Sequence, residues 1–160
     1  MKKFIVALFS VVALFMFMGT GAFAAENDHA EILQKIDETN VKIEAEIQTA
    51  QSKGNQLLST LSLETAKLDA KLENARLNGA SEAEIANIEK EVKKQKAVLV
   101  DKYNQKLDTL IDDLINKTNK MTADMIDEAA EAGIQAECSW VYVQIGDRWV
   151  WVDPIQIVGV

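Results

Sequence analysis

The chain has 160 residues, 48% of them hydrophobic but only 6% aromatic, and its 25 acidic against 17 basic side chains give a net charge of −8. This acidity disfavours nucleic acid and anionic lipid headgroups as partners, because both attract clustered Lys and Arg. With one histidine, His29, and one cysteine, Cys138, far apart in sequence, neither a zinc site nor a Cys/His nucleophile is supported.

Residues 1–24 have the pattern of a secretory signal peptide. Lys2 and Lys3 precede an apolar stretch at 4–18, and the small-residue motif Ala22-Phe23-Ala24 follows it. The stretch is shorter than the roughly 20 residues that span a bilayer, so we expect cleavage after Ala24 and no permanent membrane span afterwards. The alternative is an uncleaved signal anchor. The predicted location is periplasmic, cell-envelope or extracellular, and loss of the two lysines leaves a net charge of −10.

Residues 25–137 are predicted to form an antiparallel helical hairpin. This segment is rich in Ala, Glu, Lys, Leu and Ile, has no proline, and contains one aromatic residue, Tyr103. Capping boxes at Asp28 and Ser81, with stop signals at Gly79 and Gly133, predict helices over about 28–77 and 82–132 with a turn near 78–81.

Two helices joined by so short a turn must lie antiparallel, so apolar residues should face each other at a constant sum of residue numbers. They do so at sums of 160 and 161, with spacings of mostly three and four that are typical of a coiled coil. The predicted pairs are Ile88 with Leu72, Val92 with Leu68, Leu99 with Leu61, Tyr103 with Leu57, Leu110 with Ala50, Leu114 with Ile47, Thr118 with Ile43, Met121 with Asn40, Met125 with Ile36, and Ala129 with Ile32. Asn40 is thus predicted to be a polar layer of this seam.

Gly54 leaves an alternative open, because a mid-helix glycine costs about 1 kcal/mol relative to alanine. A break at Lys53-Gly54-Asn55 would give a three-helix bundle instead. We favour the continuous hairpin, in which Gly54 leaves room for the ring of Tyr103. Apolar residues off the seam form a second stripe that needs cover from the C-terminal segment or from another hairpin: Leu33, Leu58, Val100, Ile111, Ile115 and Ile126.

Residues 138–160 are predicted to form a small antiparallel β-hairpin. The sequence alternates with a period of two on both sides of Gly146-Asp147, a pair suited to a type II′ turn. Pairing about that turn puts Val143 opposite Val150 and Val141 opposite Val152 on an aliphatic face. The other face then carries Trp140, Tyr142, Gln144, Trp149, Trp151 and Asp153. After Pro154, residues 155–158 are expected to form a third short strand.

The predicted fold class is therefore mostly α, a long antiparallel helical hairpin followed by a small C-terminal β-hairpin. The candidate binding face consists of Trp140, Tyr142, Trp149 and Trp151, since clustered aromatic rings stack on sugars or anchor protein interfaces. Because both ribbon faces are apolar, packing of the rings against the helices or in an oligomer is favoured over a free ligand platform.

No catalytic, cofactor-binding or metal-binding residues are predicted. His29 is expected to be a solvated helix-start residue, and Cys138 a small buried residue at a strand entrance, although an intermolecular disulfide is the alternative. Acidic residues gather at the open end of the hairpin without the spacing of a calcium loop, which favours a solvated surface. They are Glu26, Asp28, Glu31, Asp124, Asp127, Glu128 and Glu131.

These features predict an exported, non-enzymatic interaction protein whose aromatic ribbon mediates self-assembly or docking to an envelope component. The partner is predicted to be a protein or a second copy of the chain, with homo-oligomers expected. Two alternatives stay open. Helical arms joined to a small β body are similar in outline to the periplasmic Skp-type chaperones, which implies holdase activity, although this chain is acidic where those are basic. The three tryptophans alone would fit a small module binding cell-wall glycan.

Overall fold

The structure, a computed structural model, describes residues 25–159. The predicted signal peptide and its cleavage therefore lie outside the described residues. Helix α1 spans Ala25–Leu77 and helix α2 spans Glu82–Glu131, and the two pack antiparallel along their lengths. The predicted helical hairpin is confirmed. Because α1 continues through Gly54, the three-helix alternative is wrong.

The turn between the helices has the chemistry that the sequence predicts. Gly79 adopts φ 76°, a conformation that favours glycine, and terminates α1. Ser81 caps α2: its hydroxyl accepts from the Glu84 amide at 3.4 Å, and the Glu84 carboxylate accepts from the Ser81 amide at 2.9 Å. The Ser81 hydroxyl also donates to the Glu84 carboxylate at 2.7 Å. This bond, followed by that from the Ser81 amide, lowers the pKa of Glu84, since both stabilise its charged form.

Every residue of the predicted seam is buried or half-buried. Ion pairs flank the seam, with Lys96 Nζ 2.6 Å from Asp69 Oδ1 and Arg76 Nη2 2.5 Å from Glu89 Oε1. The second apolar stripe is covered only in part. Ile111 is buried, whereas Leu33, Ile115 and Ile126 are half-buried, and Leu58 and Val100 stay exposed.

The C-terminal region contains four strands: β1 (Gln135–Cys138), β2 (Val141–Ile145), β3 (Arg148–Val152) and β4 (Ile155–Gly159). They form two antiparallel pairs, β2 with β3 and β1 with β4. The register of β2 with β3 is the predicted one, and Gly146 has φ 61°, as both primed turn types require. Strand β1 was not predicted. The predicted third strand, β4, pairs with β1 and not with the β2–β3 hairpin.

The β2–β3 ribbon lies along the helices on its aliphatic face. Ile145 and Val152 are fully buried against a cluster that includes Ile43, Ile47 and Leu107, and three further valines pack on its margin: Val141, Val143 and Val150. A second cluster joins Ile155 of β4 to Ile36 and other residues near the open end of the helical hairpin. The ribbon thus supplies a third layer over half of the helical hairpin.

Gly54 is where the ribbon turn touches α1. A Cβ at Gly54 would stand 2.6 Å from the backbone nitrogen of Gly146 and 3.0 Å from Cγ2 of Ile145, closer than real Cβ atoms approach. The space at Gly54 is thus occupied by the ribbon backbone, and the expectation that it accommodates the ring of Tyr103 is wrong. Close approach of two backbones is a role that only glycine fills without displacement.

Candidate docking face

Tyr142, Trp149 and Trp151 lie together on the solvent side of the β2–β3 ribbon, and Trp140 is exposed just before β2; we call these four residues the aromatic face. Their exposed fractions are 63% for Trp140, 52% for Tyr142, and 53% for both Trp149 and Trp151. The expectation that these rings pack on the helices is wrong, because the valines of the opposite face occupy that contact. The alternation of β2 and β3 then turns the rings outward.

The rings contact one another across the ribbon. The ring centroids of Tyr142 and Trp149 are 5.1 Å apart with planes at 24°, and those of Tyr142 and Trp151 are 4.6 Å apart at 34°. Tyr142 therefore stacks with Trp149 and packs at a tilt against Trp151, at centroid distances that aromatic pairs prefer. The result is a preformed cluster in which side-chain freedom is restricted before any partner arrives.

The turn end of the ribbon is held to α2 by polar contacts. The hydroxyl of Tyr103 donates to Oδ1 of Asp147 at 2.6 Å, and the side chain of Tyr103 is buried. Burial, followed by the bond to Asp147, raises the pKa of Tyr103 to about 12. Arg148 forms an ion pair with Asp108, and its Nη2 donates to Oδ1 of Asn104 at 3.1 Å. These contacts fix the position of the turn relative to α2.

The other end of the ribbon is held by Asn40 and Thr122. Asn40 Nδ2 donates to the carbonyl of Ile155 and Oδ1 accepts from the Ile155 amide, both at 2.9 Å. Thr122 Oγ1 donates to the carbonyl of Asp153. Asn40 lies in the predicted seam, but its polar side chain serves the start of β4. The sequence indicated this role only by a polar residue at an apolar position of the seam. It did not show that Asn40 binds the backbone of Ile155.

Asp153 was predicted to share a ribbon face with Trp149 and Trp151, but it is buried while they are exposed. It follows β3, is only 7% exposed, and its Oδ1 has no hydrogen-bond partner among the described residues. Burial raises the pKa of this carboxyl, because desolvation penalises the charged form. Its removal from the surface leaves the solvent side of β2 and β3 without an acidic side chain.

The remaining candidates for chemistry stay separate. Cys138 is exposed in β1, so its predicted burial is wrong, and partial desolvation together with Asp153 and Glu137 raises the pKa of its thiol. His29 is half-buried in α1. At the open end, Lys35 Nζ lies 2.6 Å from Glu128 and 3.2 Å from Glu31, and these contacts raise the pKa of Lys35. Residues 25–159 contain no group of three or more potential ligands suited to a metal ion.

Comparisons with protein-family models, with curated proteins and with solved structures give no significant match to this chain. Within residues 25–159, neither helix has an apolar stretch that would cross a membrane. A function for this chain is therefore proposed from the chemistry of the aromatic face alone.

Proposed function

We propose that this is an exported, non-enzymatic interaction protein whose aromatic face binds protein at the cell envelope, either a second copy of the chain or another envelope component. The observation that carries the proposal is a cluster of three exposed rings on the ribbon, with exposed Trp140 just before β2, while the opposite face of the ribbon is already packed. Tryptophan and tyrosine are enriched among the residues that contribute most to protein binding. Nothing else in residues 25–159 combines so much exposed apolar surface with so fixed a geometry.

The size of the face supports a binding role. An aromatic side chain carries roughly 150–250 Å² of surface, so four that are about half exposed present roughly 330–550 Å². This is comparable to the largest apolar patch on a typical monomer, which is often functional. An acidic chain with a net charge of −8 gains solubility from its helices, while the uncharged ribbon face stays available for contact.

A protein partner fits the ring geometry better than a sugar does. A pyranose ring stacks on a free aromatic face, but Tyr142 already stacks with Trp149 and packs at a tilt against Trp151. Part of the surface of these three rings is therefore used within the cluster. The remaining ring surface and the amide of Gln144 suit the mixed contacts of a protein interface.

The helices beyond Gly54 support a spacer role. α1 continues for 23 residues after Gly54, or about 35 Å at 1.5 Å per residue. Exposed apolar side chains there, such as Leu63 and Val98, are interleaved with charged residues and do not form a cradle for an unfolded client. We therefore place docking at the ribbon, with the helical hairpin holding its tip away from the docked surface.

Site-specific crosslinking in cells tests this proposal. The full-length chain is expressed with Trp140 replaced by p-benzoyl-phenylalanine, and the matched control carries the same group at Val41, which is 69% exposed on α1. We expect light-dependent protein adducts from position 140 and few from position 41. Exported chain should begin at Ala25 by intact mass. Equal adducts at both positions, adducts only to glycan, or none at all would overturn docking onto protein through this face.

A further inference from the structure

We propose that the partner on the aromatic face is a second copy of this chain, packed ribbon to ribbon about a two-fold axis. This inference depends on the proposed function, because it names the protein that the face binds. A symmetric pair requires one patch that complements itself. The patch is available in the single chain, since the helices cover only the aliphatic side of the ribbon.

Charge favours a copy at this face over the parts of the helices that carry the ribbon. Residues 25–54 and 103–131 have 14 acidic against 6 basic side chains, so two copies repel where these parts meet side by side. The solvent side of β2 and β3 carries three aromatic rings and Gln144 but no charged side chain, because Asp153 is buried and Arg148 lies on the aliphatic side, paired with Asp108 of α2. Two copies therefore meet here without placing like charges in contact.

The position of Asp147 selects one of the two possible symmetric arrangements. Asp147 lies at the turn end of the ribbon, while Trp140 lies at the other end, just before β2. With the ribbons parallel, the two Asp147 side chains would come together at one end. With the ribbons antiparallel, the turn of each copy faces Trp140 of the other. Like-charge repulsion thus favours the antiparallel dimer, in which the two helical tips point in opposite directions.

The exposed area sets the strength of the pair. Burial of roughly 330–550 Å² of ring surface from each copy gives about 700–1,100 Å² in total, at or below the lower limit for a stable specific interface. We therefore expect a dimer that is in equilibrium with the monomer and dissociates on dilution.

The chain carries its own reporter for this equilibrium, because all three tryptophans belong to the aromatic face. Exported protein is purified and measured by light scattering over a concentration series. With rising concentration we expect the mass to approach twice that of the monomer, the tryptophan emission to shift to the blue, and quenching by acrylamide to fall. A mass that stays monomeric throughout would overturn the inference.

The matched variants are W149A with W151A for the face, and L63A for an exposed apolar residue on α1 far from it, 61% exposed. The first should stay monomeric at every concentration, with helical circular dichroism unchanged because the rings are not part of the core. The second should dimerise like the wild type. A dimer that survives loss of both tryptophans would place the contact elsewhere and overturn the proposal.

Mapping the adducts of crosslinker at position 140 separates this inference from the proposed function. The antiparallel dimer predicts adducts on residues 144–149 of a second copy, whereas a parallel one predicts adducts near position 140 itself and would overturn the arrangement. Adducts to a different protein, together with a monomeric mass, would overturn the second copy and leave the docking function in place. A monomer without protein adducts would overturn both.

Discussion

The two halves of the helical hairpin share one sequence pattern but differ in burial. In the docked half, residues 25–54 and 103–131, seam positions such as Ile43 and Leu107 are completely buried beneath the ribbon. In the distal arm, residues 55–102, Val92 is the one buried residue and the other seam positions are half-buried. Two helices alone therefore cover a seam only from one side, and a third layer is needed to exclude water from it.

The comparison also predicts a gradient of local stability. The distal arm is held by half-buried leucines, by the Ser81 cap and by surface ion pairs, and each exposed ion pair contributes about 1 kcal/mol or less. The docked half has two buried apolar clusters and part-buried hydrogen bonds to the C-terminal strands. Backbone amides of the distal arm should therefore exchange with solvent faster than those of the docked half.

The largest difference between the halves is expected from leucine truncation. Leu107→Ala removes a fully buried side chain where both helices meet the ribbon, and should lower the free energy of unfolding by about 2–5 kcal/mol. Leu61→Ala, at a half-buried seam position of the distal arm, should cost less than about 2 kcal/mol. Urea unfolding followed by circular dichroism measures both. Equal losses would mean that the ribbon adds no core.

Gly54→Ala tests the contact that defines the boundary between the halves. Alanine favours the helix by about 1 kcal/mol, but its methyl group would meet the backbone of Gly146, which has no flexible side chain to move aside. Overpacking should dominate, with a net loss of about 1–3 kcal/mol and faster hydrogen exchange in β2 and β3. Ser59→Ala, exposed on the same helix, is the control and should not destabilise. A stabilised Gly54→Ala variant would contradict the close backbone contact.

Tyr103→Phe removes the hydroxyl that holds Asp147, and should cost about 1.5 kcal/mol near neutral pH. The pKa of Tyr103 is raised from 10.0 to about 12 in the folded chain, so the folded state holds this proton more tightly than the unfolded state. Wild-type stability should therefore fall as pH rises from 10 through 12, and the variant should lack this component. Tyr142→Phe, at an exposed ring, is the control. Parallel pH profiles for wild type and Tyr103→Phe would contradict the assignment.

Asp153→Asn should stabilise the protein, by about 1 kcal/mol at neutral pH, because it removes a buried charge that lacks a partner. Burial raises the folded pKa above the ordinary 3.8, so the folded chain is most stable below that value and loses stability as pH rises through the raised pKa. The gain should accordingly vanish below pH 3.8, where the carboxyl is protonated in both states. Asp101→Asn on the distal arm should change little. A loss of stability at neutral pH would indicate that the carboxylate has a favourable role.

Much of this fold could be predicted from the sequence because its signals are local. The helices, their turn and the register of β2 with β3 follow from periodicity, from Ser81 with Glu84, and from Gly146 at the hairpin turn. Strand β1 could not be predicted, since Gln-Ala-Glu-Cys has no alternating pattern and becomes a strand through pairing with β4.

The candidate face shows the same limit. The four aromatic residues could be grouped by alternation, but both faces of the ribbon are apolar, and the sequence did not indicate which one the helices cover. That choice depends on contacts distant in the chain, such as those of Gly54 with Gly146 and of Asn40 with Ile155. From the sequence alone, Gly54 is a residue that destabilises helix α1, and Asn40 is a polar layer of the helical seam.

Asn40 and Gly54 together set where the C-terminal strands lie along helix α1. They are fourteen positions apart, about 21 Å along the helix, and they contact Ile155 and Gly146 respectively. A single insertion within that interval would rotate one contact point by about 100° relative to the other. By contrast, matched heptads added to or removed from both helices beyond Gly54 would change the reach of the molecule without disturbing the ribbon. The length of the helical hairpin beyond Gly54 can therefore change, whereas the spacing of Asn40 and Gly54, which position the C-terminal strands, cannot.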